Sequence, residues 1–113
     1  LATPTLGQNK LNCADSTNHT QADMNQCARM AHQAADAELN AAWAQLRDRR
    51  GEGHSWDTIL EAQRLWIPFR DAHCEAEAAP YEGGSIQPLI QSSCLAGVTR
   101  QRTEQLIYLM QLP

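Results

Sequence analysis

Apolar positions fall at steps of three and four along most of this chain, the signature of helices with one buried face. The first stripe is Met24, Cys27, Ala31, Ala35, Leu39, Ala42 and Leu46. It predicts a long helix opening at Thr20-Gln21-Ala22-Asp23, where the Thr hydroxyl can accept a backbone N–H and Asp23 favours the positive helix end. Arg49-Arg50-Gly51-Glu52-Gly53 should end it, with cations at the negative end and glycines as breakers. A second stripe runs through Trp56, Ile59, Leu60, Gln63, Trp66, Ile67, Arg70 and Cys74, with Ser55 or Asp57 as the expected cap. Pro68 lies inside this stripe and removes the bond to the carbonyl of Arg64, so a kink or break near 64–68 is expected. Residues 76–85 read as a loop. A third helix should start from Ser85 as cap, with Pro88 in its first turn, and run to about Met110. Its inward positions are Ile90, Cys94, Val98, Leu106 and Leu109, and Gly97 is a candidate bend. No run alternates for long enough to make a strand. The expected architecture is an all-α antiparallel bundle of three to four helices. Residues 1–19, polar and containing Pro4 and Gly7, form an irregular arm, and 20–113 form the helical domain.

The chain has 113 residues, the size of one domain. Its net charge of −4 argues against nucleic acid as a partner, which calls for a basic patch. No apolar run approaches the roughly 18 residues of a transmembrane helix. Leu1-Ala2-Thr3-Pro4 has neither an initiator Met nor a charged leader, which suggests a mature form whose signal peptide has been removed. Cys13, Cys27, Cys74 and Cys94 show no C-x-x-C spacing, so two disulfides in an oxidising compartment are expected rather than a zinc site. In an up-down-up bundle Cys27, Cys74 and Cys94 fall at one end, and geometry leaves the pairing open. Local pairing, Cys13–Cys27 with Cys74–Cys94, is preferred, each closure contributing about 3 kcal/mol. Cys27–Cys74 with Cys13–Cys94 is the alternative.

A family resemblance rests on particular runs. These are Ala35-Asp36-Ala37-Glu38-Leu39-Asn40 after Cys27, Ala62-Gln63-Arg64-Leu65-Trp66-Ile67, and Phe69-Arg70-Asp71-Ala72-His73-Cys74, followed by Gly83-Gly84-Ser85 and Thr99-x-x-Arg102. Together they resemble the lysozyme-inhibitor LprI-like family of small secreted or periplasmic bacterial proteins, over about residues 13–110. The chain departs from the family pattern at Trp43, where another aromatic, more often Tyr, is expected, and at Pro68. The resemblance implies a helical, disulfide-stapled envelope protein whose partner is a lysozyme or another peptidoglycan hydrolase. The alternative is an immunity-type periplasmic protein with a different protein target.

The polar residues of the stripes, Asp36, Asn40, Gln63, Arg70, Asp71 and Arg102, are expected to form a structural network. Arg70 should reach across to Asp36, because a buried charge must be paired and hydrogen-bonded. His19, His32, His54 and His73 are scattered without metal-ligand spacing, and adjacent helical positions such as His73 and Cys74 point apart. No catalytic residue, metal or cofactor is assigned. Trp66 and Ile67 are placed in the core, with Trp43 and Trp56 at its border. The segment expected to meet a partner is Tyr81-Glu82-Gly83-Gly84-Ser85. It combines an amphipathic Tyr, an acidic residue suited to a cationic cleft and glycines that allow close backbone approach. Cysteines on both sides would preorganise it.

Overall fold

The computed structural model describes residues 11–113; the first ten residues of the expected arm lie outside the described residues. Three helices follow in order: α1 (Gln21–Arg50), α2 (Gly53–Ala78) and α3 (Gln87–Gln111), with a short 3-10 turn at Ala79–Tyr81. Two disulfides, Cys13–Cys27 and Cys74–Cys94, staple them, the local pairing that the sequence favoured. Between residues 11 and 20 the chain forms turns, in which Asp15 accepts from both the hydroxyl and the backbone N–H of Thr17. Those bonds hold the Asp15 carboxyl below its ordinary pKa.

The start of α1 follows the expected chemistry. Thr20 caps the N–H of Asp23, and the Asp23 carboxylate accepts from the N–H of Thr20, a reciprocal capping box. The other two starts differ from expectation. α2 begins at Gly53 rather than after Ser55 or Asp57, because Gly53 takes φ +84 and turns the chain within two residues of α1. α3 begins at Gln87 with Ile86 before it, and no side chain caps it. The chain enters α3 through a backbone turn, in which Gln87 N donates to the Gly84 carbonyl. Pro88 sits in the first turn as expected.

No break occurs at Pro68; α2 is continuous through it. Pro68 is exposed, and so is Arg64, whose carbonyl it leaves without its helical donor.

α1 and α3 run parallel and pack along most of their lengths. Asn25 Nδ2 donates to the Ser85 carbonyl at one end, and Arg50 Nη1 donates to the Pro113 carbonyl at the other. Alanines allow this close approach: Ala28, Ala35 and Ala42 of α1 and Ala96 of α3 are all buried. The core gathers Leu39, Ala42 and Leu46 with Ile59 and Leu106. α2 runs antiparallel to both. Its backbone comes near α1 along little of its length, and large side chains span the gap. Trp43 meets Trp56 with ring centroids 5.0 Å apart. This spacing corrects the expected place of one residue. Trp66 is half-buried and packs against the core as expected, whereas Ile67 is 44% exposed. Both also border the space between α1 and α2.

Candidate functional site

The periodicity that places Asp36, Asn40 and Trp43 on one face of α1 turns them toward α2. From α2, Arg64, Trp66, Ile67 and Arg70 face back. Between them lies a groove of about 390 Å³. Leu39, Leu60 and Gln63 also line it, so it carries both apolar and polar surface.

Arg70 organises one end. Its Nη1 donates to Asp36 Oδ1 at 3.4 Å and to Thr99 Oγ1 at 3.3 Å, and its Nε donates to Asp71 Oδ1 at 2.9 Å. One guanidinium thus ties all three helices, and its side chain is only 14% exposed. The same guanidinium lies 5.1 Å from the centroid of the Trp66 ring, within cation–π range. Deeper in the bundle, Arg102 of α3 donates to Gln63 Oε1 at 2.8 Å and to Gln105 Oε1 at 2.9 Å. No ion pair within the described residues includes Arg102. Burial depresses its pKa, and its Nη2 is buried without a hydrogen-bond partner.

Five of the six polar residues chosen from sequence are therefore joined in two clusters, Asp36–Arg70–Asp71 and Gln63–Arg102. Asn40 joins neither; it is exposed on the groove. Thr99 and Gln105 complete the clusters and were missed. Thr99 is fully buried on α3 and faces Arg70, a pairing that only the helix arrangement reveals. The groove itself was also missed, because its residues were read as core and network rather than as walls.

The segment Tyr81–Ser85 lies at the end of the molecule carrying Cys74–Cys94 and is exposed throughout. It is a tight turn: Gly84 N donates to the Tyr81 carbonyl at 2.9 Å, and Gly83 takes φ +81, a conformation in which a side chain is strained. Nearby, donor atoms of His73, Glu77 and Cys94 lie within 4.8 Å of one another. Cys94 is bonded to Cys74 and offers no thiolate, and the other two residues are an exposed pair at 2.9 Å.

Fold and surface together define a class: a small all-α protein built on disulfides, carrying an exposed turn and a groove between two helices. Within that class the chain belongs to the lysozyme inhibitor LprI family, which it matches over residues 13–106. It is 36% identical over 104 residues to an uncharacterized protein of Rhizobium meliloti (strain 1021), covering 81% of this chain and 75% of that one. The crystal structure of a DUF1311 family protein from Pseudomonas putida KT2440 superposes with a TM-score of 0.71 at 28% identity, covering 90% of this chain and all of the other.

Proposed function

We propose that the protein inhibits a lysozyme-type peptidoglycan hydrolase by occluding its cleft, acting as a periplasmic or secreted binding protein without chemistry of its own. The family match over residues 13–106 carries this reading. Two disulfides support an oxidising compartment, and no helix among the described residues is long and apolar enough to cross a membrane. The net charge of −4 suits a cationic enzyme.

Tyr81, Glu82, Gly83, Gly84 and Ser85 are the contact segment in this reading. The turn is exposed, closed by its own backbone bond, and tied on both sides by Cys74–Cys94 and by the bond from Asn25 to Ser85. A segment held in shape before binding loses less entropy on docking. The test is a titration against a panel of lysozymes. Inhibition is expected for at least one, and the double variant Tyr81→Ala/Glu82→Ala should weaken it at least about tenfold, or about 1.4 kcal/mol, with melting unchanged. If no lysozyme loses activity at about tenfold molar excess of this protein, the reading is wrong.

A further inference from the structure

We propose that the outer face of α2 is a docking surface for an amphipathic helix with basic flanks. Ala62, Leu65, Phe69, Ala72 and Ala76 recur at steps of three and four, so they share one side of α2 over about four turns. All five are exposed, Leu65 by 63% and Phe69 by 59%. The residues that attach α2 to the bundle, Ile59, Gln63, Arg70 and Cys74, form a different stripe. A single exposed leucine is ordinary, but two large apolar side chains on adjacent turns of one apolar stripe mark an interaction surface.

The spacing of the stripe fits a helix. The stripe is about 21 Å long and narrow, the kind of seam that a second helix covers with apolar positions at the same steps. Alanine at three of its five places lets another backbone come close, as alanines do between α1 and α3. Leu65 and Phe69 stand between those alanines as anchors. The Phe69 ring is held in place before binding. It stacks on His73 with ring centroids 5.7 Å apart, and His73 Nε2 is hydrogen-bonded to Glu77 at 2.9 Å.

Charge selects the partner. Residues 53–82 hold six carboxylates and two guanidinium groups. Both guanidinium groups belong to the other side of α2: Arg64 and Arg70 line the groove facing α1, and Arg70 is paired with Asp36 and Asp71. Glu61 and Glu75 each precede a stripe alanine and, two heptads apart, border the same edge of the stripe. Glu77 stands beyond the other edge, beside His73. All three carboxylates are exposed. A helix with Lys or Arg next to its apolar seam meets opposite charge on this face. A second copy of the chain does not, because any two-fold pairing on the stripe sets Glu61 and Glu75 of both copies along one seam. An anionic bilayer is repelled by the same residues.

The probe is a synthetic peptide of about three heptads, with Leu at the a and d positions and Lys at e and g, whose own charge keeps it from pairing with itself. Calorimetry at low salt should show one peptide bound per chain with a Kd of about 1–100 μM, weakened at least about fivefold in about 0.5 M salt. The Leu65 and Phe69 NMR signals should move on binding. Leu65→Ala/Phe69→Ala and, separately, Glu61→Lys/Glu75→Lys should each lose at least about tenfold in affinity while keeping helicity and melting, since all four positions are exposed. No lysozyme enters the measurement, so its outcome is independent of the inhibitor reading. The proposal is overturned if either double variant binds as well as the parent, or if nothing saturates by about 1 mM. Equal binding of a scrambled peptide, or of one with Glu in place of Lys, overturns it as well. So does a different occupant: a chain that dimerises alone, or that binds anionic lipid vesicles, and loses this with Leu65→Ala/Phe69→Ala.

Discussion

Arg70 and Arg102 answer the same physical problem in opposite ways. Arg70 satisfies its donors with two carboxylates and a hydroxyl, drawn from all three helices. Arg70→Ala should therefore cost about 2–4 kcal/mol in urea unfolding, since it removes a shared partner and leaves Thr99 buried without its donor. Arg70→Lys should recover little of this, because a single ammonium lacks the planar fork that serves three acceptors at once. Equal stability of the lysine variant and the parent would show that the charge alone matters. Among the described residues Arg102 hydrogen-bonds only to amide oxygens, and burial already works against its charge. Gln63→Leu should cost about 1–3 kcal/mol by leaving Arg102 Nε unpaired in the core. Adding Arg102→Met should restore part of that loss, because apolar replacement of both partners removes the unmet donor. A cycle of melts on the two single variants and the double one checks this; a double variant with simply additive losses contradicts it.

At the scale of elements, the start of α1 was legible because its cap is written in local residues: Thr20 and Asp23 sit three apart and bond each other's backbone. The starts of α2 and α3 were misplaced because no side chain caps either one. There a backbone turn and a glycine at positive φ decide the boundary, and Ser55 and Ser85 are ordinary residues beside it. Pro68 misled for another reason. Its effect depends on whether the carbonyl that it frees meets protein or water, and the stripe pattern placed it no more finely than inside a helix. Because Pro68 is exposed on a continuous helix, Pro68→Ala should regain the missing bond and stabilise the protein by about 1–3 kcal/mol. A denaturant midpoint that falls instead would mean that the α2 backbone is shaped around the proline.

At the scale of the molecule, periodicity identified which faces turn inward but not how far apart the helices stand. The alanines of α1 draw α3 close, whereas Trp43, Trp56, Trp66 and Arg70 hold α2 off from α1 and open the groove. Helix spacing follows from side-chain volumes meeting across a seam, and the two members of each meeting lie far apart in sequence. The arrangement also sets an order of stability. α1 and α3 share the buried alanines, together with Leu46 and Leu106, while α2 is attached by Ile59, the two arginine clusters and the Cys74–Cys94 bond. Native-state hydrogen exchange should therefore show α2 amides opening at lower free energy than the central amides of α1 and α3. Cys74→Ala/Cys94→Ala frees a closure across 20 residues and should cost about 3 kcal/mol. If α2 is the weakest unit, that loss should speed exchange first between Leu60 and Cys74's neighbours on α2, and leave the centres of α1 and α3 protected to nearly the global limit. Uniform acceleration across all three helices would instead show one cooperative unit, in which α2 is no looser than the pair it packs on.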